Sequence, residues 1–376
     1  MRRLIAVVAE GGPWFVDVLR DVWDRGDALL PVDPRLPDAA RSRLLAAMAP
    51  HELLTPDGSR TALGDAVPVV EGDALVVATS GSTGHPKGVV HTHASVAASA
   101  HATNAGVGTD PATDRWLCSL PLAHVAGLSV VTRALASGTP LEVHGGFDAA
   151  AVTDAARRGA TLTTLVPTAL ERIDPSIFRR IVVGGTAPPA TLPPNAVISY
   201  GLTETGSAVC YDGRPLDGAE VRIVDGEVLV RGPMLLRAYR TDDPVGLDPR
   251  DADGWFATAD GGSWDDEGRL VVHGRRGHMI ITGGENVWPH AVEQAVATHP
   301  GVAEVAVIGR TDPTWGQRVV AVVVPTDPAA PPSLDDIRDT VKALLPAFAA
   351  PRELVLRDAL PRTPIGKVHY QDLHTA

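Results

Sequence analysis

Between residues 74 and 201, short β-branched runs alternate with stretches of helical period, a rhythm that neither an all-helical nor an all-sheet fold accommodates. The runs are ALVVAT (74–79), LEVH (141–144), TLTTLV (161–166), RIVVGG (180–185) and AVISYG (196–201), with helices expected between several of them at 94–104, 125–137 and 148–158. The pattern predicts an α/β sheet whose faces are covered by helices. Upstream, 14–27 and 38–49 read as helices near a proline-rich turn (Pro31, Pro34, Pro37). Downstream, AEVRIVDGEVLVRG (219–232) reads as a hairpin turning at Asp225-Gly226, and RLVVHGR extends the β-rich stretch to 275.

After Gly277 the pattern changes. MIIT (279–282), EVAVIG (304–309) and RVVAVVV (318–324) read as strands, and Pro289 at a first helical position opens a helix to about 298. A loop rich in Pro and Ala (325–332) leads to a last helix at 334–345. The expected fold is therefore a large α/β lobe, residues 1–275, with a small α+β domain, residues 278–376, the cue being the charged, glycine-flanked GRRGH between them.

Composition narrows the function. With 376 residues, 44% hydrophobic and 21% charged, the chain is an ordinary globular protein long enough for more than one domain. A net charge of −12 argues against a nucleic-acid partner, which would demand a basic face. Cys118 and Cys210 lie far apart without metal-ligand spacing and read as reduced thiols. Glu10 interrupts the apolar run of MRRLIAVVAEGG too early for a signal peptide, and no run approaches bilayer length, so a cytoplasmic protein with no membrane partner is expected. Three of the 33 basic residues are lysines: Lys87, Lys342 and Lys367. Lys87 and Lys367 sit beside glycine in loop-like segments, where a compact point charge has a use that arginine does not share; Lys342 reads as surface.

The densest chemical signal is Thr79-Ser80-Gly81-Ser82-Thr83-Gly84-His85-Pro86-Lys87-Gly88. Glycines let backbone N–H groups close on an anion, hydroxyls add donors and lysine adds charge, which together make a phosphate cradle. It is not a Walker loop, because Pro86 precedes Lys87, Gly88 follows it, and the next residues, VVHT, are strand-like rather than helical. A polar hairpin loop is the plain alternative.

TSGSTGHPKGV resembles the signature loop of the adenylate-forming superfamily, which includes acyl-CoA synthetases, adenylation domains of peptide synthetases, and luciferases. Further motifs follow in that superfamily's order from about residue 28 onward. The resemblance implies that Thr79, Ser80, Gly81, Ser82, Thr83, Gly84 and Lys87 hold the β- and γ-phosphates of ATP. Tyr200-Gly201-Leu202-Thr203-Glu204 resembles its YGxTE motif, where the tyrosine stacks on adenine, the threonine contacts phosphate and the glutamate helps hold Mg²⁺; read locally, the same residues make a helix cap. Gly184-Gly185-Thr186-Ala187 resembles the adenine-binding turn. Asp260, after Ala259 where glycine is usual, matches the ribose-binding aspartate, and Arg275 the arginine on ribose and phosphate.

At the expected hinge this chain carries Gly277 and then His278, where the superfamily favours Asp or Lys and then an acidic residue. Gly283-Gly284 resembles the loop that lines the pantetheine tunnel, and a plain β-turn fits it equally. Pro361–Val368 resembles the loop of the catalytic lysine, here Lys367. The resemblance thus implies an ATP-dependent ligase with Mg²⁺ and coenzyme A as co-substrate, a mobile small domain, and a homodimer among the assemblies open to it. Against comparable ligases, a shortened opening of the N-terminal region is expected.

Within the superfamily, SLPLAHVAGLSVVTRALASGTPLEVHGGFD (119–148), LVPTALERI and IVVGGTAPP look most like o-succinylbenzoate–CoA ligase, the branch serving menaquinone biosynthesis. His124, in PLAHVAG, falls beside the acyl pocket of that branch, and a satisfied core histidine fits as well. The acid has a second carboxylate that wants a cation. Arg133 is a candidate by its place in the sequence, although a helix-surface arginine is the plainer reading. Another acyl- or aryl-CoA ligase, an adenylation enzyme loading a carrier protein, a non-catalytic nucleotide-binding regulator and a phosphotransferase are the rival readings.

Overall fold

A computed structural model describes residues 2–80, 86–185, 191–362 and 368–374. The apolar runs become the inner strands of two seven-stranded sheets. The first contains β1 (Leu4–Val8), β2 (Ala28–Val32), β3 (Glu52–Leu54), β4 (Arg60–Ala62), β5 (Asp73–Ser80), β6 (Pro86–Thr92) and, from far along the chain, β16 (Ala238–Tyr239), in the order β16-β6-β5-β2-β1-β3-β4. The second contains β7 (Trp116–Cys118), β8 (Leu141–Val143), β9 (Leu162–Leu165), β10 (Arg180–Val183), β11 (Ala196–Gly201), β12 (Ala208–Tyr211) and β13 (Arg214–Pro215), in the order β13-β12-β11-β10-β9-β7-β8. From β11 through β8 the second sheet is parallel, and β12 and β13 add antiparallel strands at one edge.

Helices α1 (Pro13–Asp24), α2 (Asp38–Met48), α3 (His93–Val107), α4 (Val125–Ser137), α5 (Ala149–Arg157) and the single turn α6 (Pro167–Leu170) supply the cover. Helix α3 starts where the Thr92 and Ser95 side chains cap each other's backbone N–H, and it stops at Gly108, whose φ of 62° no helix continues. One apolar core joins Phe15, Leu19, Leu29 and Val77 on the first sheet's side to Trp116, Leu128, Val131 and Leu162 on the second's.

Two local expectations are corrected. The helix expected over 14–27 ends at Asp24, because Gly26 turns to a φ of 74°. Pro31 is not in a turn: it lies within β2, opposite Val7 of β1, between parallel neighbours on both edges. The hairpin at Asp225-Gly226 forms between β14 (Glu220–Val224) and β15 (Glu227–Arg231), both turn residues having positive φ.

The chain divides into two compact units: Met1–Arg222 with Leu229–Phe256 and Asp266–Leu270, and Ile223–Val228 with Ala257–Asp265 and Val271–Ala376. Strands β17 (Phe256–Trp264) and β18 (Leu270–Arg275) precede a five-stranded sheet made by β19 (Ile280–Thr282), β20 (Glu285–Val287), β21 (Val302–Asp312), β22 (Gly316–Pro325) and β23 (Glu353–Leu356). Its helices, α7 (Pro289–Val296) and α8 (Leu334–Lys342), bury Val292, Val296, Ile337 and Val341 in the second unit's core. Among the described residues no helix is long and apolar enough to cross a membrane.

Candidate active site

The glycine- and hydroxyl-rich segment joins two antiparallel strands, β5 and β6, and does not open into a helix. Gly81, Ser82, Thr83 and Gly84 lie outside the described residues. At the foot of the segment Thr79 faces Lys87 across the ladder, and its hydroxyl donates to the Lys87 carbonyl at 3.3 Å. Ser80, the last residue of β5, is paired with Pro86. The Lys87 ammonium sits 3.3 Å from the centroid of the Tyr239 ring.

Strand β11 ends at Tyr200 and Gly201 with a register shift against β12, so the chain leaves the ladder there. A side chain at Gly201 would strike the Ser207 carbonyl at 2.1 Å, so only glycine lets the backbones approach this closely. The chain then makes one tight turn, Thr203–Thr205. Its backbone is held twice: the Thr203 carbonyl accepts from His91 Nε2 at 2.7 Å, and the Glu204 carbonyl accepts from the Leu236 N–H at 2.8 Å. A carbonyl only accepts, so His91 carries its proton on Nε2. Burial pushes this fully enclosed imidazole down and keeps it neutral. The Glu204 carboxylate is held separately, accepting the Tyr239 hydroxyl at 2.8 Å.

Lys87, Glu204 and, through His91, Thr203 therefore come together around β6 and β16. Tyr239 and His91 carry no motif and were invisible as site residues in the sequence. Gly184 and Gly185 follow β10, and a side chain at Gly184 would collide with Ser199 Oγ at 2.1 Å, which keeps this turn tight against β11. Thr186 and Ala187 lie outside the described residues.

His124 precedes the first turn of α4, and its Nε2 lies 3.7 Å from the Asp33 carboxylate. Burial works against that carboxylate's charge, but hydrogen bonds from Arg35 prevail and hold its pKa below the usual range. The expectation of a surface Arg133 is corrected: the side chain is 2% exposed. Arg133 faces inward from α4, donating to Thr164 Oγ1 at 3.4 Å and to Ser207 Oγ, with the Trp116 ring 5.6 Å away. Its Nε has no hydrogen-bond partner, and among the described residues no carboxylate pairs with it. A buried cation without a counter-ion costs several kcal/mol, roughly, so the position asks for an anion. Cys118 and Cys210 are buried free thiols, each pushed up to about 12 by burial, and so are inert near neutral pH.

The remaining candidates belong to the second unit. Asp260 is 6% exposed, and its carboxylate meets Arg275 Nε at 3.1 Å. Arg275 also donates to the Thr258 carbonyl at 2.7 Å, which ties β18 to β17 at this point. Ala259, between Thr258 and Asp260, has a φ of 60°, a left-handed angle that glycine takes at lower cost. Gly277 lies in a short 3₁₀ turn, Arg276–His278, where an added side chain would meet nothing within 4 Å. His278 is pushed down by burial first and then by Arg275, and its ring tilts on Tyr370 with centroids 5.3 Å apart. Gly283 and Gly284, with φ of 62° and 85°, form the two-residue turn between β19 and β20. Lys367 lies outside the described residues. Within the second unit, the structure thus places Asp260 with Arg275.

The comparisons with known proteins bear on the whole chain. Residues 61–240 match the AMP-binding enzyme family, and residues 291–367 match the AMP-binding enzyme C-terminal domain. A Mycobacterium tuberculosis protein named "Probable 2-succinylbenzoate--CoA ligase" is 38% identical over 364 residues, covering 90% of this chain and 92% of that protein. An "Indoleacetate--CoA ligase" of Aromatoleum aromaticum is 37% identical over 358 residues, covering 82% of this chain and 69% of that protein. Among solved structures, the o-succinylbenzoate CoA synthetase of Bacillus subtilis in complex with its acyl-adenylate intermediate superposes with a TM-score of 0.86 at 27% identity, covering 100% of this chain and 89% of the other. With both of its domain signatures in the expected order and a relative of this identity along nearly its full length, the chain belongs to the AMP-binding enzyme family, the AMP-forming acid–thiol ligases.

Proposed function

We propose that this ligase activates o-succinylbenzoate as its acyl-adenylate and transfers the acyl group to coenzyme A, the step that serves menaquinone biosynthesis. The observation that carries the choice of acid is Arg133, a buried cation whose partners are hydroxyls rather than a carboxylate. Thr164 lies toward the carboxyl end of β9, and Ser207 follows the turn after β11. That end of a parallel sheet is where ligands of open α/β folds bind. The distal carboxylate of the acid would give Arg133 its counter-charge through charge-assisted hydrogen bonds. The names of the Mycobacterium and Bacillus proteins support the same acid.

In the first half-reaction an oxygen of the reacting carboxylate attacks the α-phosphorus of ATP, and pyrophosphate leaves. Lys87 and the amides and hydroxyls of residues 79–84 hold the departing phosphates, Tyr200 and the Gly184–Ala187 turn hold adenine, and Asp260 and Arg275 hold ribose. Lys367 steadies charge growing on the carboxylate and α-phosphate oxygens, and His124 flanks the acyl group. This is catalysis by positioning and electrostatics. Glu204 suits Mg²⁺, because an ion carried by a triphosphate needs one or two protein carboxylates rather than a full cage. That ion, when bound, neutralises phosphate charge. In the second half-reaction the thiolate attacks the acyl carbon and AMP leaves. Rotation of residues 278–376 about Gly277 would withdraw Lys367 and bring Gly283-Gly284 to the pantetheine arm. ATP and coenzyme A are cytoplasmic co-substrates, which supports reading the protein as cytoplasmic.

The similarity to an indoleacetate ligase favours a second reading, a ligase for aryl monocarboxylic acids. An ATP–pyrophosphate exchange panel of acids, run on the wild type and on Arg133→Met, separates the two. We expect o-succinylbenzoate to be preferred, and Arg133→Met to lose roughly tenfold or more in kcat/KM for it while indoleacetate changes little. Preference for a monocarboxylic acid in the wild type overturns the assignment. Light scattering on the same preparation decides between a monomer and a homodimer.

A further inference from the structure

We propose that Tyr239 is a positioning residue that keeps Lys87 and Glu204 from neutralising each other, leaving the ammonium for phosphate oxygens and the carboxylate for the metal. This deepens the adenylating reading above and rests on it. One side chain touches both groups in different ways: its ring face lies 3.3 Å under the Lys87 ammonium, and its hydroxyl donates to Glu204 Oε1 at 2.8 Å. Tyr239 is 8% exposed, so both contacts are made by a ring with little freedom to move.

The mounting of that ring is unusually firm for a strand of two residues. Tyr239 pairs with Val89 of β6, and on either side Arg237 N–H donates to the Val90 carbonyl and Arg240 N–H to the Gly88 carbonyl, each at 2.8 Å. Tyr239 also exchanges backbone hydrogen bonds with Leu247 at 2.8 and 2.9 Å. The flanking arginines turn away and lock into the fold. Arg237 grips the fully buried Asp73 carboxylate with two bonds of 2.7 and 2.9 Å, and Arg240 donates to the carbonyls of Met48, Ala49, Val67 and Pro68. The same segment holds the Glu204 backbone through Leu236. Residues 236–240 thus form one rigid bracket that touches the foot of the phosphate segment and the catalytic turn together.

The physical reason for an aromatic spacer lies in the alternative. A lysine and a glutamate that touch the same side chain attract each other across it. An ion pair between them would have to break before either could meet a triphosphate and its metal. No Lys87–Glu204 ion pair forms among the described residues; the ring takes the ammonium on its negative face, and the phenol takes one carboxylate oxygen. A cation on a neutral ring is released to phosphate more readily than one paired with a carboxylate, and Glu204 keeps its second oxygen.

The test is ATP binding by calorimetry in magnesium-free buffer without any acid, on the wild type, Tyr239→Leu, Glu204→Gln and the double variant. Removing the spacer lets Glu204 capture Lys87, so Tyr239→Leu should bind ATP roughly tenfold more weakly than the wild type. The double variant, which has no carboxylate to capture the lysine, should bind within about twofold of Glu204→Gln. A Tyr239→Leu penalty of equal size beside Glu204 and beside Gln at 204 is what a structural role alone would give, and it overturns the proposal. If Tyr239→Leu does not fold, Tyr239→Phe decides. It keeps the ring but frees Glu204, and should raise the magnesium concentration for half-maximal exchange roughly fivefold at an unchanged KM for saturating MgATP; an unchanged magnesium dependence overturns the proposal. A wild type that binds no ATP at all sinks the adenylating reading instead, which is a distinguishable result.

Discussion

The two units hold their site residues by different means. In the first, Lys87 and Glu204 come from β6 and from the turn after β11, and a third segment, β16, fixes both through Tyr239. In the second, Arg275 and Asp260 pair between neighbouring strands, while Gly283-Gly284 is a hairpin tip set by its own backbone angles. Lys87 and Glu204 are thus preorganised by tertiary contacts, whereas much of what the second unit offers is placed by local turns. A part whose groups are locally placed can move as a body without losing their geometry. The two half-reactions proposed above would use such a part.

The sharpest way to break this division is Lys367→Ala. If the lysine serves only adenylation, exchange should fall roughly a hundredfold or more, while thioester formation from supplied acyl-adenylate and coenzyme A stays close to wild type. Parallel losses in both half-reactions would erase the division. Next in size is Gly283→Ala, where a φ of 62° and the Trp315 ring 2.7 Å from the new Cβ both resist a side chain. We expect a loss of about 1–2 kcal/mol or more in urea unfolding and a slower thioester step. Gly277→Ala, with open space around it, should leave the unfolding midpoint unchanged. Equal stability losses for the two would contradict the placement of these glycines.

Ala259→Gly works in the opposite direction. Relief of a φ of 60° should stabilise the protein by about 1 kcal/mol or less, and a destabilised variant would show that the alanine methyl packs usefully. The smallest effect concerns His273, whose pKa burial lowers from its usual value of 6.5. Below pH 6.5 the unfolded chain binds the proton more readily than the fold does, so the His273 contribution is lost as pH falls towards the depressed value. The drop in urea midpoint from pH 7.5 to 5.5 should therefore shrink in His273→Gln, and an unchanged drop would remove His273 from the account.

Legibility followed the range of the interactions. Helix 125–137 and strand 196–201 were readable because their own period and end signals define them, and both appear at those residues. Strand β2 was not, since Pro31 lacks a ladder donor and argues against a central strand, yet burial on both faces of ALLPV prevails. Motif residues such as Thr79, Glu204 and Gly283 stood out because their segments resemble those of a known superfamily. Tyr239 and His91 have ordinary neighbours and acquire their place only when β16, β6 and the 203–205 turn meet. Arg133 shows the same limit in reverse, because one inward turn of α4 separates a surface arginine from a buried one.

The central claim, attack of a carboxylate oxygen on the α-phosphorus, is tested most directly with o-succinylbenzoate labelled with ¹⁸O in its reacting carboxylate. After turnover with ATP and coenzyme A, mass spectrometry should find one labelled oxygen in the phosphate of AMP and none in pyrophosphate. Label in inorganic phosphate, released together with ADP, would mean an acyl-phosphate route and would contradict the account.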